Sequence, residues 1–351
     1  MILFGLRDTG SVNACLSVIN ILKNQGIPVS IYAEGVAYER LKNNFPLIAD
    51  CKITNLLDSI RPSLVVVTVA TKGGSIPIDL NNEAKQRGLP TVLVEEMWAG
   101  HSTSEWKVLP DGVCVTDEFA KSLVLQSWPD YSESNIYVTG ASIFDKFINV
   151  QTEVAKHRLR QALHIYESWP IVFFPGTGQI WGMIQAVSML VEALNKLSAP
   201  IYFILRDHPA ISFVRATGYR EALKDLRMGT IVDSGKLTSD EVNAGSDIVV
   251  GTFSSMTVEA CYLRKPVLTI WTSEIRQSFL EATNNTLGEW PIINLGASLK
   301  AESVGEIKDC LQRILAGDTT AIMEAQQKHF KTDGLSGKRI AKAILSYYRC
   351  Q

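Results

Sequence analysis

The six cysteines, Cys15, Cys51, Cys114, Cys261, Cys310 and Cys350, form no CxxC pair and have no histidine nearby at metal-ligand spacing. That spacing argues against a disulfide framework and against a zinc site. Neither sign of charge is in excess: 34 Lys+Arg against 36 Asp+Glu give a formal net charge of -2. A dedicated nucleic-acid binder or a basic membrane-surface protein would carry a basic footprint that is missing here, whereas small anions stay open as partners. No run reaches the length of a membrane span, and the apolar opening MILFGL meets Arg7 and Asp8 too early for a signal peptide. These absences lead to the expectation of a cytoplasmic protein with reduced thiols. Repeats, low-complexity tracts and Pro/Gly/Ser linkers are also lacking.

What is present is a long alternation. The 351 residues, 46% of them hydrophobic, suit one large or two medium domains. Short β-branched runs stand at 2–5, 29–33, 64–69, 91–95, 113–116 and 136–140, with amphipathic stretches between them such as Val12 to Asn24. Runs that are apolar on both faces predict a parallel sheet covered by helices. After a charged stretch at 153–161 the pattern restarts, with runs at 171–176, 201–206, 230–234, 247–251 and 266–270. Two Rossmann-like domains are expected, 1–148 and 149–335, hinged near 145–155. Three helical patterns close the chain, near Val304–Leu315, Thr320–Phe330 and Ser336–Tyr348. The last is expected to cross back onto the first domain, with Ser336 as its cap.

The segment from Ser246 to Ala260 reads as strand, tight polar loop and helix, with a further strand after Lys265-Pro266. Thr252, Ser254 and Ser255 then stand at a helix N-terminus, where open backbone donors and the dipole favour a phosphate. Glu259, about one turn further, suits vicinal ribose hydroxyls. The alternative is that Ser254 or Ser255 is a simple N-cap and Glu259 a solvated acid.

This unit resembles the nucleotide-binding helix of GT-B glycosyltransferases and of UDP-N-acetylglucosamine 2-epimerases. The epimerase resemblance extends to Val138-Thr139-Gly140-Ala141 with Phe144-Asp145, and to the stretch from Asp333-Gly334 to Ile340. It implies the α/β GT-B architecture of two facing Rossmann-like domains with a C-terminal crossover helix. One departure stands out. Those epimerases share a GDT-like segment after a central strand, and this chain has Val69-Ala70-Thr71-Lys72-Gly73-Gly74 there.

Leu205-Arg206-Asp207-His208-Pro209 ends a predicted strand, the place where open α/β sheets bind ligands. Arg206 offers a guanidinium fork, and His208 can hydrogen-bond a phosphate or protonate a leaving group. A strand-ending turn explains the same residues. Together with Ser254-Ser255, however, His208-Pro209 is similar to the HP and SS elements of bacterial sialyltransferases and of CDP-glycerol glycerophosphotransferases. The resemblance implies that both elements touch the phosphates of a UDP-, CMP- or CDP-linked donor; no DxD-like acid cluster adjoins these motifs, so no metal and no other cofactor are expected. Gly176-Thr177-Gly178, closing the first strand of the second domain, resembles the GT-B loop that approaches those phosphates. It lacks the full dinucleotide fingerprint, which speaks against a nicotinamide or flavin enzyme.

The sialyltransferase pattern also holds a pair of acids and a glycine in its first domain, one acid being the general base. Glu95-Glu96 is the counterpart here, with Met97 where the glycine is expected. Adjacent carboxylates can raise one another's pKa and ready one for proton abstraction. Solvated loop acids are the alternative. The first loop, Arg7-Asp8-Thr9-Gly10-Ser11, would face the interdomain cleft with Asp8 as second candidate base, Gly10 as a tight turn and Ser11 as a cap. Trp98, Trp106 and Trp181 are either sugar platforms or packing residues. The expectation is a nucleotide-sugar-dependent transferase with an unknown acceptor, a 2-epimerase or a non-catalytic binding protein being the alternatives.

Overall fold

The computed structural model describes residues 1–69, 76–103, 106–177, 181–208, 213–235 and 237–348. Residues 70–75, which include most of the Val69-to-Gly74 segment, and Gly178 and Pro209 fall outside them. The chain divides into two compact units, one formed by Met1–Ile148 with the segment from Thr332 onward, the other by Asn149–Lys331.

The first unit holds a six-stranded sheet of β1 (Ile2–Leu6), β2 (Val29–Ala33), β3 (Leu64–Thr68), β4 (Thr91–Val94), β5 (Gly112–Val115) and β6 (Ile136–Val138). Every pairing is parallel, in the order β2-β1-β3-β4-β5-β6. All residues of β1, β3, β4 and β5 are buried, as expected of strands covered on both faces. The strand order reverses between β1 and β3, which makes the carboxyl ends of those strands the unit's switch point.

The second unit repeats the plan with β7 (Ile171–Pro175), β8 (Ile201–Arg206), β9 (Gly229–Ile231), β10 (Ile248–Gly251), β11 (Val267–Ile270) and β12 (Leu299–Ala301). Its parallel order is β12-β11-β10-β7-β8-β9, with the switch between β7 and β10. The two edge strands differ from the sequence reading. β9 is shorter than expected and partly exposed, and β12, an LKA triplet with Lys300 at its centre, gave no hydrophobic signal at all.

The final helix, Ser336–Tyr347, belongs to the first unit. Ile340, Ala341, Ala343 and Ile344 pack in one core with Ile2, Phe4, Val18 and Cys114. Its N-terminus is capped, but not by Ser336. The N–H groups of Ser336 and Gly337 donate to the two carboxylate oxygens of Asp145, at 3.0 and 2.8 Å. Arg339 Nε donates to the Thr139 carbonyl at 2.7 Å and pairs with Asp333 at 2.8 Å. The two epimerase-like segments thus meet, and a carboxylate 191 residues away does the work of a local cap. Among the described residues no helix is long and apolar enough to cross a membrane.

Candidate functional site

In the second unit, β10, β7 and β8 are consecutive parallel neighbours, so their carboxyl ends open on one edge at the switch point. At about 4.8 Å per strand they span ~10 Å. Their sequences allow unusually close exits. The Gly176 N–H donates to the Arg206 carbonyl at 2.8 Å, and a Cβ on Gly176 would stand 2.7 Å from that oxygen. Only glycine lets the end of β7 lie so near Arg206 and His208. A Cβ on Gly251 would meet Thr257 Cγ2 at 2.8 Å, so the helix Ser255–Tyr262 turns directly off β10.

Ser254 is the N-cap of that helix, its Oγ accepting from the Met256 N–H at 3.3 Å, which leaves its hydroxyl proton for another acceptor. Ser255 is exposed in the first turn, where helical bonding leaves backbone N–H groups open. Phe253 anchors the loop from behind, edge-on to Trp271 and Phe279 with ring centroids 6.4 and 5.2 Å apart. Glu259 is only 7% exposed, which removes the solvated-acid alternative. Thr177 is 4% exposed and its Oγ1 is buried with no hydrogen-bond partner among the described residues. A buried hydroxyl in that state is a demand that a ligand oxygen at the strand end would meet.

One expectation needs correction here. Thr252 is fully buried and its hydroxyl turns inward to Met183 Sδ at 3.4 Å, so the side chain is withdrawn from the loop surface. Arg206 is committed in part, donating from Nη1 to the Leu237 carbonyl, which leaves fewer of its donors for a phosphate. Asp207 pairs with Arg220 at 2.7 Å, and His208 stands exposed at the end of β8.

In the first unit the chain leaving β4 separates the two adjacent acids. Glu95 is 3% exposed and its Oε1 accepts from both the backbone N–H and Nδ1 of His101, each at 2.7 Å. His101 Nε2 faces the Leu123 carbonyl at 3.2 Å, and its ring stacks edge-on to Trp128 with centroids 5.1 Å apart. Glu95 is therefore an internal brace of the loop, not a group offered to an acceptor. The loop is further held by Trp98 Nε1 donating to Asp117 Oδ2 and by Trp106 Nε1 donating to the His101 carbonyl, both at 2.8 Å. Those two tryptophans are packing residues; Trp181, at 70% exposure, stands out from the second unit.

Glu96 points the other way, onto the first turn of the helix Thr9–Asn24. A Cβ on Gly10 would stand 2.9 Å from Glu96 Cδ and closer still to Oε2. Gly10 is thus not a tight turn, as its sequence context suggests; it is a helical residue whose missing side chain makes room for the carboxylate. Asn13 Nδ2 donates to Glu96 Oε1 at 3.5 Å, and Arg40 Nη1 donates to Asn13 Oδ1 at 3.3 Å and to the Thr9 carbonyl at 3.4 Å. The Glu96 pKa is raised to about 7, first by burial; the Asn13 bond opposes the rise, Asp8 adds to it and Arg40 opposes it. The expected cause, its neighbour Glu95, is not the operative one.

Asp8 and Ser11 form a capping box. Asp8 Oδ1 accepts from the Ser11 N–H at 2.8 Å, and Ser11 Oγ accepts from the N–H groups of Asp8 and Arg7 at 3.0 and 2.9 Å. Ser11 is 1% exposed, which withdraws it from any ligand, while Arg7 and Asp8 are half-buried. Asn13, Arg40 and His101 were not singled out by the sequence. Only Asn13 had a usable signal, since it lies three residues after Gly10 on the same helix face. Among the described residues no group of three or more His, Cys, Asp or Glu is placed to hold a metal ion.

No protein-family model matches the chain, and no curated protein matches it either. Solved structures do. A UDP-GlcNAc 2-epimerase from Neisseria meningitidis, bound to UDP-GlcNAc, is 15% identical with a TM-score of 0.68 over 99% of this chain and 100% of that one. MurG from Acinetobacter baumannii is 12% identical with a TM-score of 0.66, covering 98% and 99% of the two chains. A glycosyltransferase from Rickettsia africae is 15% identical with a TM-score of 0.64, covering 98% of each. The chain has the GT-B fold, and that fold carries both epimerases and glycosyltransferases.

Proposed function

We propose that the protein is a nucleotide-sugar-dependent transferase of the GT-B type, either a glycosyltransferase or a related glycerophosphotransferase. The observation that carries this reading is the convergence of the β7, β8 and β10 exits at the switch point of the second unit. There the Thr177 hydroxyl, without a partner among the described residues, the helix start at Ser254 and Ser255, and the enclosed Glu259 suit a nucleoside diphosphate with its ribose. The first unit supplies a half-buried carboxylate whose pKa of about 7 fits a general base at neutral pH.

In the reaction, Glu96 takes the proton of an acceptor hydroxyl as its oxygen attacks the transferred group. The bond from that group to the donor phosphate breaks, and the nucleotide leaves with the electron pair. Backbone donors at Ser255, the Ser254 and Thr177 hydroxyls and His208 meet the charge that develops on it. The absence of an acid from Val69-Ala70-Thr71-Lys72-Gly73-Gly74 supports transfer over epimerisation.

A thermal-shift panel of UDP, CMP, CDP and GDP derivatives identifies the base, since a ligand of the folded state raises the melting temperature. Donor consumption with and without acceptor alcohols then separates the readings. Acceptor-dependent release of nucleotide supports a transferase, an epimerised sugar without acceptor makes the protein an epimerase, and binding without consumption makes it a binding protein.

A further inference from the structure

Asn13 sits on the helix face that also carries Gly10, and its side-chain amide lies between two charged groups, Glu96 and Arg40. An amide can present either its oxygen or its NH2 group to a neighbour, and the hydrogen-bond network decides which. Arg40 can only donate, so it claims Oδ1 at 3.3 Å and leaves Nδ2 facing Glu96 Oε1 at 3.5 Å. Arg40 is itself tied to the Thr9 carbonyl at 3.4 Å, which fixes it to the same helix turn.

We propose that Asn13 is a positioning residue for Glu96: with its amide oriented by Arg40, it holds the carboxylate against the turn at Gly10 and stabilises the charged form. The role rests on the reading of Glu96 as the base. Two charged groups bear on that carboxylate from the elements around it, and a third, its chain neighbour, does not. Asp8 at the exit of β1 opposes ionisation, Arg40 on the helix Gly35–Leu41 favours it, and Glu95 is turned away onto His101. Without Asn13, burial and Asp8 act on Glu96 with less opposition.

The test is a ¹³C-carboxylate NMR titration of the full chain with labelled glutamate, the Glu96 resonance being assigned through Glu96→Gln. Asn13→Ala should move the Glu96 midpoint upward by about half a pH unit to one unit, and Asn13→Asp, which adds a like charge, further. Arg40→Gln should give a smaller upward shift that fades at high salt, because Arg40 is exposed. Alanine favours the helix, so the scaffold survives the first change. A Glu96 midpoint unchanged in folded Asn13→Ala overturns the proposal. A midpoint that moves while the pH dependence of turnover stays fixed upholds the role of Asn13 and removes Glu96 as the base.

Discussion

Gly10 and Glu96 fit together as a gap and its filling: the carboxylate occupies the space where any other residue at position 10 would place its Cβ, with Cδ 2.9 Å from that point. Gly10 is helical and has no left-handed backbone, so conformational freedom does not explain it. Its value is the space it leaves empty.

Gly10→Ala therefore sets helix preference against site geometry. Alanine is the better helix former by about 1 kcal/mol, yet its methyl group expels the Glu96 carboxylate toward water. The variant should fold and lose turnover by about one to two decades, the usual result of misplacing a reacting group by ~1 Å. Wild-type turnover in Gly10→Ala would show that the seating of Glu96 is irrelevant to catalysis.

A base with a pKa near 7 must lose its proton before it can act, so turnover should rise with pH through about 7 and level off above it. Glu96→Gln should lower turnover by about two to four decades. The loops proposed to hold the donor belong to the other unit, so nucleotide affinity, read by calorimetry, should stay close to wild type.

The same carboxylate should weigh on stability. Its folded pKa is raised above the unfolded value, so between the two the native state binds more protons. Stability is greatest at or below the usual carboxylate range and declines as pH rises toward 7. Glu96→Gln should thus stabilise the protein by about 1 to 3 kcal/mol at pH 8 and by almost nothing at pH 4, as read from urea midpoints. Equal stabilisation at both pH values would mean that ionisation is not the cause.

Glu95 should behave in the opposite way. Removing it leaves two buried donors of His101 without their acceptor, and each buried donor left unsatisfied costs about 1 to 3 kcal/mol. Glu95→Ala should lower the melting temperature strongly. Adjacent acids with opposite stability effects would mark one as a brace and the other as a site residue.

The strands were legible wherever both faces are apolar: the runs at 29–33 and 201–206 coincide with β2 and β8. Legibility failed where the signal is not periodic. β12 is three residues long with Lys300 at its centre, and the cap of the last helix comes from Asp145, remote in sequence. At the site, the acids and hydroxyls were visible as residue types, but their directions were not. Nothing in Glu95-Glu96 says which carboxylate turns inward; that is decided by His101, six residues on, and by the gap at Gly10.

The donor loops make the last prediction, and it separates close packing from hydrogen bonding. Thr177→Val keeps the shape of the side chain and deletes the hydroxyl that lacks a partner among the described residues. If that hydroxyl waits for a phosphate, affinity for the best nucleotide should fall by about one to two decades, because a hydrogen bond to a charged group contributes roughly 1.5 to 3 kcal/mol. Stability without ligand should hold or rise, since a buried unsatisfied group has been removed. Gly176→Ala should weaken binding by another route, as its Cβ would push the Arg206 carbonyl away from the end of β7 and spread the exits of β7 and β8. Glu259→Gln should reduce affinity for ribonucleotides more than for their 2′-deoxy analogues, if the acid holds the ribose hydroxyls. Unchanged nucleotide affinity in folded Thr177→Val and Glu259→Gln would move the nucleotide away from this edge of the sheet, and with it the case for a donor site at the switch point.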